Sequence, residues 1–223
     1  MPAESTPRAA RAEHILDVSA DLLGRLGYRR VTVDDVAEAA GVGKGTIYLH
    51  WKTREALFVA VLLRELLGSM DELVTGLHAD PGAVLLHRIT RAQFVQIRRR
   101  PLLCAVYTDD SEVLGKLRAG VQKALDPRHR SAFEDYLALL DEHALLREGL
   151  TIAQVSQAFH AIMQGFLLDG NADADVLGAV IARSFEPDGP VPLNDVLRPV
   201  AERAAVLFAE SAAADRAVLH RAY

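Results

Sequence analysis

Two short amphipathic helical patterns, joined by only two residues, lie between Thr32 and Trp51 and limit how this chain can fold. Thr32 and Asp35 have the spacing of a capping box, so the first helix is predicted to begin there. Gly41 follows the last apolar residue of that pattern, where a left-handed backbone ends a helix at little cost to glycine. Because the next pattern begins two residues later, the two helices must pack against each other at a steep angle.

The second pattern divides into an inward side and an outward side. Ile47 and Trp51 are one turn apart and are predicted to point inward, where they anchor this helix to the first. The outward face and its flanks hold residues of which none is acidic: Lys44, Gly45, Thr46, Tyr48, Leu49, His50 and Lys52. Donors without a carboxylate suit phosphate, and a glycine at the centre of the face lets base edges approach the main chain. This layout is typical of a helix-turn-helix that docks on duplex DNA, with Lys44 within reach of guanine and Leu49 of a thymine methyl group.

The same stretch resembles the tetracycline-repressor (TetR) family of bacterial regulators. The resemblance covers about residues 9–61 and depends on these motifs: Gly27-Tyr28, Thr32-Val33-Asp34-Asp35-Val36-Ala37, Ala40-Gly41-Val42, Gly45-Thr46-Ile47-Tyr48, His50-Trp51-Lys52 and Glu55-Ala56-Leu57. It implies that Lys44 and Gly45 lie near base edges and that five polar residues hold phosphates: Thr46, Tyr48, His50, Lys52 and Arg54. Thr32 is also included in the predicted DNA-binding set. One departure is Gly43, where family members often carry a serine that caps the helix.

Composition predicts an all-α protein. Half of the 223 residues are apolar, helix-forming residues dominate, and no stretch alternates as a strand does. We divide the chain into a disordered tail at 1–8, a three-helix helix-turn-helix DNA-binding domain at 9–53, and a larger helical domain at 54–223. The resemblance implies that the larger domain binds an effector and dimerises.

Proline, glycine and capping residues predict the helices of the larger domain. A first helix should open at Thr53 and connect the two domains, and one should run from Pro81 to about Arg100. Further helices are predicted at 102–119, from Gln122 or Pro127 to His143, at 151–168 behind a second capping box, and at 193–213.

The resemblance implies that the helices near 151–168 and 193–213 pair with their copies in a homodimer. Two heads related by a two-fold axis would then read a pseudo-palindromic operator. A small-molecule effector is expected between helices of the larger domain, and its candidate contacts, each of which also fits an ordinary core position, are Cys104, Tyr107, Tyr136, Phe159, Met163 and Phe166.

Several other classes of protein are disfavoured. The stretch 41–46 fails as a phosphate loop because its lysine is not followed by Ser or Thr, and the histidines form no ligand cluster, so we expect no enzyme, cofactor or metal. The net charge of −5 argues against a general polyanion binder, although residues 1–60 carry eight Lys and Arg against eight Asp and Glu. One cysteine, no apolar span and no signal sequence predict a cytoplasmic protein without a membrane segment.

The sequence therefore predicts a DNA-binding transcriptional regulator, a repressor that a small molecule releases from a palindromic operator. An alternative stays open, namely a helical ligand-binding or protein-interaction module whose DNA-binding head has lost its function.

Overall fold

A computed structural model of the chain describes residues 7–124, 127–190 and 192–220, and the side chains of all of these except residues 127–130 and 220. Every regular element in these ranges is helical, which confirms the all-α prediction. Within the same ranges no helix is long and apolar enough to cross a bilayer. Of the predicted tail, residues 1–6 lie outside the described residues, whereas Pro7 and Arg8 belong to the first helix.

The chain divides into two compact units, one within residues 1–66, 101–125 and 215–223 and the other within residues 67–100 and 126–214. Described helices, in chain order, are α1 (Pro7–Leu26), α2 (Val33–Ala39), α3 (Lys44–His50), α4 (Arg54–Ala79), α5 (Leu86–Arg99), α6 (Pro101–Thr108), α7 (Ser111–Leu114), α8 (Leu117–Ala124), α9 (Pro127–Glu142), α10 (Ile152–Leu168), α11 (Ala174–Phe185) and α12 (Asn194–His220). A 3₁₀ turn at Pro81–Val84 precedes α5.

In the first unit, the start of α4 is part of the same core as α1. Leu57, Phe58 and Val61 are fully buried, and so are Ile15 and Leu16 of α1. Arg64 of α4 also reaches α1, with ion pairs of 3.2 Å to Glu13 and 2.8 Å to Asp17. The compact unit therefore extends past residue 53, where the sequence-based boundary lies, because α4 supplies apolar side chains to the core of α1–α3.

The segment predicted as one helix at 102–119 is instead three short helices, so that prediction was wrong. Asp109 and Gly115 have φ angles of 57° and 54°, and such left-handed residues interrupt a helix. Asp110 then caps α7 by accepting hydrogen bonds from the backbone N–H groups of Glu112 and Val113. The breaks bend the segment back onto the head, where Tyr28 N donates to Val113 O at 2.9 Å.

The predicted C-terminal end of α5 and both predicted ends of α10 are confirmed, but α5 begins at Leu86 instead of Pro81 and the helix predicted at 193–213 continues to His220 as α12. α5 ends at Arg99 before Pro101, and α10 begins behind a capping box formed by Thr151 and Gln154. α11 was not predicted, although Asp173 caps its first turn with hydrogen bonds to two backbone N–H groups. An ion pair between Arg91 and Asp175 links α5 to α11.

Candidate nucleic-acid interface

Helices α2 and α3 are fixed by local hydrogen bonds at their ends. Thr32 accepts from Asp35 N at 3.2 Å while the Asp35 carboxylate accepts from Thr32 N at 2.8 Å, which confirms the predicted capping box. Gly41, with φ of 63°, turns the chain after α2, and Val42 N donates to Ala37 O at 3.0 Å. α3 then starts after Gly43, which supplies no side-chain cap. The two helices are therefore joined as tightly as the sequence predicted.

The inward side of α3 is as predicted. Ile47 and Trp51 are each 1% exposed, and Trp51 N donates to Ile47 O at 2.9 Å where the helix ends. Val36 and Ala37 of α2 are buried as well. The indole and the isoleucine thus hold α3 against the head, and its opposite side is left to solvent.

The outward side of α3 exposes hydroxyl, ammonium and apolar groups together. Tyr48 is 38% exposed and Leu49 is 68% exposed, Lys44, Gly45 and Lys52 are exposed, and Thr46 is half-buried. A Cβ added at Gly45 would meet no described heavy atom within 4 Å outside its own helix. A flat or convex partner can therefore approach the main chain of α3 at Gly45.

His50 lies on the buried side of α3 and not on the outward side that the helical pattern predicted for it. It is 7% exposed, and its ring centroid lies 5.3 Å from that of Trp51. The reason is helical: His50 follows Ile47 by three residues and so shares its face. Burial, followed by the positive charges of Arg8 and Arg11, lowers the pKa of His50, and a neutral imidazole carries no charge for a phosphate.

Arg54 forms its hydrogen bonds with backbone carbonyl groups of the protein itself. Its Nε donates to Val31 O at 2.8 Å, and a terminal nitrogen donates to Tyr28 O. The guanidinium carbon lies 4.0 Å from the centroid of the Tyr28 ring. Arg54 therefore connects the start of α4 to the turn between α1 and α2, and these internal contacts were not predicted from the sequence.

The remaining predicted contacts differ in their exposure and in whether they already have a partner within the protein. Lys52 lies beyond the end of α3 at His50, so it is not a helical residue, but it is exposed. The Thr32 hydroxyl donates to the Asp35 carboxylate at 2.8 Å. The Thr32 backbone N–H, followed by this hydroxyl, lowers the pKa of Asp35. Lys44 forms an ion pair of 2.9 Å with Asp34 of α2, so a carboxylate from the neighbouring helix lies beside this face. The sequence did not predict this pair, because its members are ten residues apart on different helices and no helical spacing relates them.

The six candidate effector contacts are divided between the two compact units. Cys104 and Tyr107 belong to α6 in the first unit, and Tyr107 is 38% exposed. Tyr136, Phe159, Met163 and Phe166 belong to α9 and α10 in the second unit, where the first three are buried. The sequence pattern could not predict which of these aromatic and sulfur-containing residues belong to the same unit.

An aromatic cluster forms the centre of the second unit. The rings of Phe133 and Phe159 have centroids 4.5 Å apart, and those of Tyr136 and Phe208 are 5.4 Å apart. The Tyr136 hydroxyl donates to Val84 O at 2.6 Å, and burial holds the pKa of Tyr136 well above its ordinary value. These contacts describe a packed core with one satisfied hydroxyl.

A separate open groove of about 930 Å³ runs between α9 and α12 in the second unit. Its floor includes Ala132 and Leu139, and an ion pair of 3.0 Å between Glu142 and Arg203 crosses one end. None of the six candidate effector contacts lines it. Among the described side chains, no group of three or more His, Cys, Asp or Glu is placed to hold a metal ion.

Comparison with known proteins agrees with this geometry. Residues 15–61 match the sequence model of the family described as "Bacterial regulatory proteins, tetR family". The HTH-type transcriptional repressor KstR2 of Rhodococcus jostii is 32% identical over 114 residues, which are 49% of this chain and 54% of that protein. The HTH-type transcriptional regulator AcrR of Shigella flexneri is 32% identical over 118 residues, which are 50% of this chain and 54% of that protein. The chain thus aligns with about half the length of these curated relatives.

Solved structures share the fold over most of the chain. A SmeT–triclosan complex matches with a TM-score of 0.63 at 21% identity, covering 82% of this chain and 99% of that one. A gamma-butyrolactone receptor described as ArpA-like matches with a TM-score of 0.57 at 17% identity, covering 93% and 99%. At these identities the likeness concerns the fold alone.

Proposed function

We propose that this chain, which belongs to the TetR family of bacterial regulatory proteins, binds duplex DNA in a sequence-specific way and represses transcription until a small molecule releases it. The observation that carries the proposal is the division of α3, with Ile47 and Trp51 buried behind it and Tyr48, Leu49 and Gly45 turned to solvent. Relatives named as transcriptional regulators support it. Such a protein acts in the cytoplasm, where bacterial DNA is found.

The exposed residues divide into two roles in the proposed complex. Tyr48, Lys52 and Thr46 supply donors for phosphates, which fix the register of the head on the duplex. Gly45 lets α3 enter the major groove closely, and Leu49 contacts a thymine methyl group. Arg54 is left out of this set because it donates to the protein's own carbonyl groups, and His50 is left out because it is buried.

The proposed functional form is a homodimer. One helix of seven residues spans only a few base pairs, so specificity requires two heads on successive major grooves. We expect the helices near 151–168 and 193–213 to form the dimer interface. They expose apolar side chains, as an interface requires: Leu168 is 64% exposed, Val196 63% and Val206 56%. A monomeric mass in light scattering at micromolar concentration would contradict this form.

The proposed effector acts by shifting populations between a DNA-binding and a released state. Its site is expected in the second unit, near Tyr136, Phe159 and Met163, where the apolar core must open in the released state to admit an apolar molecule. The SmeT structure, solved with triclosan, is one neighbour of this fold that holds an organic molecule.

The proposal is tested by selecting bound sequences from random duplex DNA with the full chain. A two-fold motif is the expected result, and the selected duplex then serves to measure Tyr48→Ala with Lys52→Ala. We expect a loss of affinity of about tenfold or more and a salt slope smaller by about one, because Lys52 is the charged member of the pair.

Lys123→Ala is the matched control, because it removes another exposed lysine, in α8, from the first unit. Its affinity should stay near that of the wild type. Failure to select any duplex, or equal binding by the Tyr48 and Lys52 variant, would favour the alternative module with a non-functional head.

A further inference from the structure

An acidic residue lies on the proposed DNA-binding face, paired with its first lysine. Lys44 Nζ is 2.9 Å from Asp34 Oδ2, and the two side chains remain 49% and 68% exposed. Lys44 precedes Tyr48 by one helical turn, so both lie on the same face of α3. Asp34 in the first turn of α2 therefore places a negative charge at the edge of that face.

The neighbouring acid serves a different purpose. The carboxylate of Asp35 accepts from Thr32 N at 2.8 Å and from the Thr32 hydroxyl at 2.8 Å, so it closes the start of α2. Asp34 forms no part of that capping box. Exposed ion pairs of this kind contribute little to the free energy of unfolding, which leaves the Asp34–Lys44 pair poorly explained by stability.

Its position has a clear consequence for binding a polyanion. Affinity for DNA of arbitrary sequence comes almost entirely from cations that displace counterions from phosphates. A carboxylate in contact with Lys44 cancels that contribution and adds repulsion of its own. On a cognate site, by contrast, Lys44 can exchange Asp34 for guanine N7 and O6, whose geometry non-cognate sequences do not provide.

We propose that Asp34 is a specificity-determining residue, which neutralises Lys44 over non-cognate DNA and releases it only where a base acceptor replaces the carboxylate. The inference rests on the proposed function and adds to it the means by which a head without net charge rejects wrong sequences.

Asp34→Asn in the full chain tests the inference, with affinities measured on the selected duplex and on a scrambled duplex over a range of salt concentrations. Affinity for the scrambled duplex should rise about five- to tenfold near 0.1 M salt, with a slope steeper by about one, because one further counterion is released. Affinity for the selected duplex should rise less, so the ratio of the two falls. Unchanged thermal melting would show that the fold is preserved.

Two controls separate this mechanism from a general effect of charge. Glu38→Gln removes another exposed acid from α2 and should leave the ratio unchanged. In a Lys44→Met background, Asp34→Asn should no longer change the ratio, because the partner is gone. An equal rise on both duplexes, the same result from Glu38→Gln, or an effect that survives Lys44→Met would overturn the inference. If the wild-type protein binds neither duplex, the proposed function itself is overturned.

Discussion

The two turns of the head use glycine in opposite ways. Gly27, between α1 and α2, and Gly41, between α2 and α3, both have left-handed backbones, with φ of 72° and 63°. A Cβ at Gly27 would lie 2.8 Å from Glu112 O, whereas a Cβ at Gly41 would meet no described heavy atom within 4 Å. One turn is filled by the chain itself, and the other is left open beside the face proposed to meet DNA.

The filled turn is built around Tyr28. Its N–H donates to Val113 O, the guanidinium of Arg54 lies over its ring, and a Cβ at Gly115 would come within 2.9 Å of the ring. Residues from three distant parts of the chain therefore meet at this turn. The comparison teaches that a glycine in a motif can leave room for another group to approach the main chain. That group can belong to the protein itself, as at Gly27, or to a binding partner, as proposed beside Gly41.

The largest expected effect comes from adding one methyl group at each turn. Gly27→Ala should lower the free energy of unfolding by about 2–4 kcal/mol, because a strained φ adds to a backbone clash. Gly41→Ala should cost only about 1 kcal/mol, from the strained φ alone. Urea denaturation measures both. Equal losses at the two positions would break the comparison.

Arg54→Met tests whether Arg54 belongs to the filled turn or to the DNA-binding face. We expect a loss of about 1–3 kcal/mol in the free energy of unfolding, because two carbonyl groups lose a charged donor. The salt slope of DNA binding should change little.

Arg25→Met is the matched control for Arg54→Met, since the pair of Arg25 with Asp21 in α1 is exposed. It should change stability by less than about 0.5 kcal/mol. A stable Arg54→Met protein with a reduced salt slope would return Arg54 to the phosphate contacts.

A smaller effect is expected from pH, through His50 beneath the open face. Its folded pKa is lowered, so the unfolded chain binds more protons as the pH falls below about 6.5, the ordinary value for histidine. The contribution of His50 to stability is therefore complete above about pH 6.5 and decreases as the pH falls toward the lowered pKa.

Urea denaturation at about pH 7.5 and about pH 5.5 measures this pH effect. His50→Gln should flatten the loss on the acid side. His14→Gln, at an exposed position of α1, should leave that loss as it is in the wild type. Identical acid-side losses in His50→Gln and wild type would contradict the buried, neutral assignment.

The smallest effect concerns the missing cap of α3. Gly43 has an extended backbone, and a Cβ added there would meet no described heavy atom within 4 Å, so a serine fits without strain. Gly43→Ser should raise the free energy of unfolding by a few tenths of a kcal/mol, because its hydroxyl can accept from the first turn. Gly43→Ala lacks that acceptor and should not. A thermal melt that shows equal gains would contradict the role of the hydroxyl.

Local features of the fold followed from the sequence. The boxes at Thr32 and Thr151 were predicted because both partners of each bond are three residues apart, so the spacing contains the whole interaction. The inward positions of Ile47 and Trp51 followed from helical periodicity in the same way. α11 was not predicted, although Asp173 offered a capping signal at its start.

The candidate site was predicted less completely, because α3 is shorter than the sequence pattern suggested and because two of its cations bond to acceptors that are distant in the sequence. α3 ends at His50, so a helical wheel extended to Lys52 described a helix that is not there. Arg54 and Lys44 have acceptors 23 and ten residues away, on other elements, and no periodicity within α3 or α4 contains them.

The sequence by itself determined that this protein is all-helical, where α2 and α3 begin, and which residues hold α3 from behind, because each of these depends on neighbours within about one turn. Only the tertiary structure decided which charged side chains stay available to a partner. Arg54 is used by the carbonyl groups of Tyr28 and Val31, and Lys44 by Asp34. The physical reason is that a long cationic side chain bonds to whichever acceptor the packing of distant segments brings within about 3 Å, and the spacing within one helix does not contain that information.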